Sequence, residues 1–266
     1  MTTAAAAAGP IGTPHDGLVP QLHGLHAVVF DTDEIITDSA PVHAAAWKAA
    51  FDAVLHARPP ADPALRGTFD PVGDYRRHVD GKHRIDGATD FLTTRGMTLP
   101  LGTPRDAPGT DSVWAVVAAK EAAFTARLDE HRVEAYPGAV HLLDRLRRAD
   151  VPCAAVSASR HTRDLLLRAG VRAYFACLVD GRDTAHLDLK DAPASDLFLE
   201  AARRLAVEPS AAAVVGFAFA GVEAGRRGGF ALVVGVDRTG TEAGATELRR
   251  HGADVVVHDL AELLDS

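Results

Sequence analysis

The stretch LHAVVFDTDEIITDSAPVHAAAWK at residues 25–48 decides the fold. Its first six residues form an apolar run that stops at a carboxylate, and Asp31, Asp33 and Glu34 close the segment. A short apolar run bounded in this way reads as a buried strand that delivers acids at its C-terminal end. Asp38, Ser39, Ala40 and Pro41 then supply a cap candidate and a proline in the first turn, opening a helix over 42–55. His43 and Trp47 are four residues apart and share one face of that helix.

Downstream, residues 56–137 carry Pro59, Pro60, Pro63 and Pro71, a helical stretch over 86–94, a Gly/Pro-rich loop over 96–109 and a helix over 112–128. Strand and helix do not alternate there, so the segment reads as a helical insertion. After Pro137 and Gly138 the pattern becomes regular. Strands over 153–156, 174–179, 212–215, 230–234 and 254–257 alternate with helices over 139–149, 161–169, 194–205, 220–227 and 243–251, and a last helix follows. This predicts an α/β protein with a doubly wound parallel sheet and a helical cap inserted after the first strand. The predicted division is a floppy leader over 1–20, a core over 21–38 and 138–266, and a cap over 39–137. The active cleft of such a sheet lies at the C-terminal ends of its strands, where Asp31, Ser157 and Gly216 fall.

The chain has 266 residues, 47% of them hydrophobic and 24% charged, enough for a large core with an insertion. Mean hydropathy is +0.00, and no apolar run reaches the roughly 18 residues of a membrane helix. The net charge is −8 and the basic residues are scattered, which argues against nucleic acid as a partner. Cys153 and Cys177 sit in strand-like stretches, as suits a reduced cytoplasmic protein. The expected partner is a small molecule in the cleft between core and cap, with neither nucleic acid nor membrane.

Residues 29–48 resemble the opening of haloacid dehalogenase (HAD) hydrolases of the β-phosphoglucomutase-like kind, whose first motif is Asp-x-Asp followed by a helical cap bearing His and Trp. DGKHRIDGATDFL (80–92) resembles the cap's substrate loop, YPGAVHLLDRLR (136–147) the re-entry into the core, VSASR (156–160) the second motif, and AGVEAGRRGGF (220–230) the helix after the fourth. The resemblance implies that Asp31 is the nucleophile that attacks phosphorus, Asp33 the general acid/base and Ser157 the hydroxyl that grips phosphoryl oxygens. It also implies that His43, Trp47, Lys82 and Arg84 face the substrate from the cap.

The sequence departs from that pattern in the cap, where residues 115–120 replace a Gly/Asn-rich segment before the family's lysine, and at three places in the core. Ala192 stands where the third motif has lysine, with Lys190 two residues away. Gly216 and Phe217 stand where the fourth has the Glu-Asp pair that holds magnesium. Glu34 replaces a hinge glycine. Magnesium and lysine offset the repulsion between phosphate and an aspartate nucleophile. From their substitution we expect no metal cofactor and a loss of phosphoryl transfer. The leading expectation is a metal-independent acid/base enzyme of isomerase, cyclase or dehydratase type, acting on a small, partly apolar metabolite. Asp31, Asp33 and Glu34 would be catalytic, and Phe217 and Phe219 would form an apolar wall. Ser157, Ser159, Arg160 and His161 lie between a strand and a helix and would bind an anion through backbone N–H groups. The alternatives are a silent ligand-binding pseudo-hydrolase, and a sugar-phosphate phosphatase or mutase using Lys190 with a metal ligand among Asp180, Asp183 and Asp188.

Overall fold

The computed structural model describes residues 17–79, 82–130, 133–190, 192–217, 219–238 and 240–265. The chain divides into two compact units, one running to Asp38 and resuming at Glu134, the other spanning Ser39–Val133. In chain order, β1 (Ala27–Asp31) leads into the second unit, which holds α1 (Ala40–Ala57), α2 (Arg84–Thr94) and α3 (Val113–Glu130). The first unit resumes with α4 (Pro137–Arg148), β2 (Cys153–Val156), α5 (Thr162–Arg168), β3 (Phe175–Val179), α6 (Gly181–Leu187) and α7 (Asp196–Leu205). It ends with β4 (Ala212–Gly216), α8 (Phe219–Arg227), β5 (Leu232–Val236), α9 (Glu242–Arg250) and β6 (Val255–Val257).

The sheet order is β3-β2-β1-β4-β5-β6. Every pairing is parallel, with Asp31 opposite Val156 and Phe30 opposite Val215. The direction of winding reverses between β1 and β4, and in open α/β sheets the ligand crevice forms at that reversal.

The strands are apolar on both sides because both faces of the sheet are covered. Val28 and Phe30 of β1, with Val215 and Val234, pack into one cluster against Leu142, Leu143 and Leu146 of α4. Ala27 and Val29 alternate to the other face and join Leu197, Phe198 and Ala201 of α7 and Val222 of α8. Gly225 lets α8 lie close to the sheet, since a Cβ there would meet Val214 Cγ1 at 3.1 Å and Val233 Cγ2 at 3.4 Å.

The helical unit has its own core of aromatic side chains. Phe51 packs 4.2 Å from Phe91 and 5.1 Å from Phe69 between ring centroids, and Trp47 stacks on Phe51 at 4.9 Å. Val113, Val116 and Val117 of α3 complete this cluster.

Several elements differ from the sequence reading. α6 falls in a stretch to which the sequence pattern assigns no element, the final helix is a 3-10 turn at Leu260–Leu263, and Tyr75–Val79 forms a π-helical turn. Most of the expected leader lies outside the described residues, and its last residues are held by the core. Leu18 is buried and bridges to Leu264, while Val19 N–H donates to Leu263 O at 3.1 Å. The two cysteines are free, and burial pushes the Cys153 thiol up to about 12. Among the described residues no helix is long and apolar enough to cross a membrane.

Candidate active site at the strand ends

β1 carries its first acid, Asp31, to the sheet edge at the winding reversal. The carboxylate is half-buried, with Oδ1 accepting from Thr32 N–H at 2.8 Å. Oδ2 faces the first turn of α8, where a Cβ on Gly221 would lie 3.4 Å away. The N-terminal end of a helix favours negative charge, which tempers the cost of holding a carboxylate there. Asp33 is bonded sideways: its Oδ2 accepts from Ser157 Oγ at 3.1 Å, so the ends of β1 and β2 are joined through these two residues.

The segment after Ser157 is folded onto itself. Ser159 N–H donates to Ser157 Oγ at 3.0 Å, and His161 N–H donates to Ser159 Oγ at 3.2 Å. Two of the backbone donors expected to serve an anion therefore bind serine hydroxyls. Arg160 is exposed, and His161 is half-buried just before α5.

Glu34 adopts a left-handed conformation, φ +60°. Such a backbone favours glycine, which accounts for the hinge glycine at this point in the resembling motif. The Glu34 carboxylate accepts from Tyr136 Oη at 3.3 Å. Its carbonyl accepts from Arg238 Nε at 2.9 Å, and the Ile35 carbonyl accepts from Arg238 Nη2 at 3.2 Å. The guanidinium lies 3.6 Å over the Tyr136 ring and pairs with Asp259 at 3.1 Å. Burial, with the charges of Glu34 and Asp38, raises the Tyr136 hydroxyl well above the ordinary phenol range, so it remains a donor. Sequence reasoning missed Tyr136 and Arg238, which lie 102 and 204 residues from Glu34.

The acids at the end of β3 serve the backbone. Asp180 is buried and accepts from Arg182 N–H at 2.8 Å, while Asp183 accepts from Asp180 N–H at 3.0 Å, forming a capping box on α6. Asp183 also pairs with Arg204 at 2.6 Å, and Asp188 ends α6 in a left-handed conformation. Of the three candidate metal ligands of the phosphatase alternative, the carboxylates of Asp180 and Asp183 are thus taken up in building α6, while Asp188 is exposed. Lys190 is exposed, and Ala192 packs against the second core cluster.

Beyond β4, Phe217 and Phe219 do not form one wall. Phe217 packs on the first core cluster. Phe219 is 45% exposed and stacks on His251 at 4.7 Å.

A family model described as haloacid dehalogenase-like hydrolase matches residues 25–229. The chain belongs to this family. Two relatives named β-phosphoglucomutase, from Mycobacterium bovis and Mycobacterium tuberculosis, are each 42% identical over 240 residues, 90% of this chain and 92% of theirs. A trehalose-phosphate phosphatase from Mycobacterium tuberculosis is 53% identical over 68 residues, 26% of this chain and 17% of its own. Among solved structures, a HAD family hydrolase from Deinococcus radiodurans with bound phosphate and sodium is similar at TM-score 0.63 and 26% identity, covering 90% of this chain and 93% of its own.

These relatives overturn two expectations. The 42% identity to β-phosphoglucomutases points to phosphoryl transfer in a HAD hydrolase, in place of a metal-independent isomerase, cyclase or dehydratase. Phosphotransferases of this family such as β-phosphoglucomutase use Mg²⁺, so the expectation of no cofactor falls with it. The physical error was to equate the fourth motif's acids with the whole metal site. Magnesium keeps several waters and is commonly bound by one or two carboxylates plus substrate phosphate, not by a full protein cage. Among the described residues no group of three or more His, Cys, Asp or Glu gathers to hold a metal. Asp31 at the end of β1 nonetheless offers one carboxylate toward that modest requirement, and it is the residue that would hold the ion, with Asp33 left for proton transfer.

In the helical unit of this HAD hydrolase, His43 is buried and stacks on Phe124 at 4.2 Å, while Trp47 lies in the aromatic core. Lys120, buried on α3, was not among the predicted binding residues, yet its Nζ lies 4.7 Å over Phe124 and 5.7 Å over Trp47 and pairs with Glu121 at 3.0 Å. A cationic residue in an apolar helix face was its sequence signal. Lys82 pairs with Asp90 at 2.7 Å, and Arg84 lies 5.6 Å over the Trp114 ring. The Lys82 and His78 hydrogen bonds hold Asp90 below the usual carboxylate range.

Proposed function

We propose that this HAD hydrolase transfers phosphoryl groups on a sugar phosphate, in the manner of a β-phosphoglucomutase or a sugar-phosphate phosphatase. The observation that carries the reading is the placement of Asp31 and Asp33 at the winding reversal, with Asp33 tied across to Ser157. In this reading Asp31 Oδ2 attacks phosphorus, the bond from phosphorus to the sugar oxygen breaks, and Asp33 gives that oxygen a proton. Asp33 then takes a proton from the water or sugar hydroxyl that accepts the phosphoryl group. The Ser157 hydroxyl orients Asp33. Magnesium, when bound, supplies positive charge against the phosphoryl oxygens.

The test is turnover of β-glucose 1-phosphate, trehalose 6-phosphate and a panel of other sugar phosphates, with and without Mg²⁺. Magnesium-dependent turnover of one of them, with a labelled aspartyl phosphate trapped on the parent chain and absent from Asp31→Asn, is the expected result. Turnover that Asp31→Asn leaves intact would defeat the reading.

A further inference from the structure

We infer that Arg238 is a positioning residue that holds the turn following β1 and, through it, keeps Asp33 where proton transfer requires it. The inference rests on the phosphoryl-transfer reading for its kinetic consequence, but its structural content stands separately. Glu34, the residue after Asp33, sits at φ +60°, a conformation that disfavours any residue other than glycine. Such a turn persists when its surroundings determine it. Here one planar guanidinium donates to both the Glu34 and Ile35 carbonyls, at 2.9 and 3.2 Å. Asp259 pairs with that guanidinium at 3.1 Å, and the Tyr136 ring lies beneath it at 3.6 Å, so the fork itself is fixed.

The position of Arg238 in the fold makes this contact informative. It follows β5, and β4 stands between β5 and β1 in the sheet, so the side chain crosses the end of an intervening strand to reach the turn. Asp33 is thereby braced from two directions, by Ser157 Oγ on the β2 side and by the clamped backbone on the β5 side. Within the turn, Ile36 and Thr37 N–H both donate to Thr32 O, at 3.0 and 3.3 Å, and Glu34 N–H donates to Thr37 O at 3.2 Å. These amides report directly on whether the turn holds.

Arg238→Ala, Arg238→Lys, Glu34→Gly and the double variant Glu34→Gly/Arg238→Ala test the inference, by kinetics on the sugar phosphate and by amide hydrogen exchange. A misplacement of the order of 1 Å predicts a roughly 100-fold fall in kcat for Arg238→Ala. KM should stay within about twofold, since the step affected follows binding. Exchange at Ile36 and Thr37 should accelerate while β4 and β5 amides keep the parent rates. Arg238→Lys should recover part of the loss. In the double variant, glycine tolerates φ +60° without the clamp, and about a tenfold recovery over Arg238→Ala is expected. Unchanged exchange at Ile36 and Thr37 would overturn the inference, as would acceleration spread equally over β4 and β5, or a double variant no better than Arg238→Ala. If the parent turned over no sugar phosphate at all, the functional reading would fail, and the exchange measurement would still decide what Arg238 does.

Discussion

β1 and β3 both end in the same way in the sequence, as an apolar run closed by an aspartate with a second aspartate just beyond, yet the structure uses the two pairs differently. At β3, Asp180 and Asp183 satisfy each other's backbone N–H groups and start α6, and Arg204 ties Asp183 down. At β1 no helix follows at once. The chain turns through the left-handed Glu34, and the Asp33 side chain reaches across to another strand. A carboxylate at a strand end is therefore ambiguous by itself. What decides its use is whether the next residues can form a helix whose first N–H groups claim it.

The sharpest way to break this contrast is to exchange the fates of the two leading acids. Asp31→Asn should lower phosphoryl transfer on the order of 10⁴-fold or more, as removal of a nucleophile does. Asp180→Ala should leave kcat within about twofold and lower stability by about 1 kcal/mol, the usual worth of a helix cap. Comparable kinetic losses in both would erase the distinction. Asp33→Asn comes next, with an expected fall of roughly 10²–10⁴ in kcat, the range for a general acid/base.

Gly181→Ala joins the two regions. A Cβ there would stand 2.3 Å from Ala158 O and 3.1 Å from Arg160 N, in the segment that carries Ser157, so backbone must move. Thermal unfolding should show a loss of about 2 kcal/mol, in the range of backbone strain at a constrained position, and kcat should fall several-fold as well. Stability unchanged from the parent would show that the close approach is dispensable.

The smallest effect is on acid stability. Hydrogen bonds from Arg203, and then from Arg204, hold the mostly buried Glu200 down to about 2. A carboxyl depressed in the folded state contributes stability above its unfolded value, near 4.5, and loses it as the pH falls toward 2. The Tm gap between parent and Glu200→Gln should thus be open at pH 6 and shrink by pH 3. A gap that stays constant would detach Glu200 from the bracing at β3.

The fold was legible because both of its signals are local. The 27–31 run and the later strands are apolar on both faces, and α4 and α7 start with recognisable residues, Pro137 and Asp196. α6 was not legible as helix because Asp180, Gly181 and Arg182 also read as a turn, and Gly181 is there for a tight approach that only the tertiary structure shows. The places of Asp31, Asp33 and Ser157 at or just beyond strand ends could be read from the sequence. Tyr136 and Arg238 could not, since their relation to Glu34 exists only once β4 and β5 are laid beside β1. Phe217 and Phe219 share a residue type and a neighbourhood in sequence, but one faces the core and the other solvent. The error about magnesium came from treating absent side chains as decisive when the ion needs few.

The points where the chain leaves and re-enters the sheet-bearing unit are themselves paired. Asp38 N–H donates to Glu134 O at 3.1 Å, and Thr37 bridges antiparallel to Ala135. To the sheet, the whole excursion over Ser39–Val133 is the tip of a two-stranded hairpin, and the entropy of closing a loop rises only slowly with its length. The helical unit is in that sense a cassette. It could be exchanged for another of different length, or cut back to a short turn, with the sheet and its two aspartates still assembled, which makes this junction a natural graft point for chimaeras.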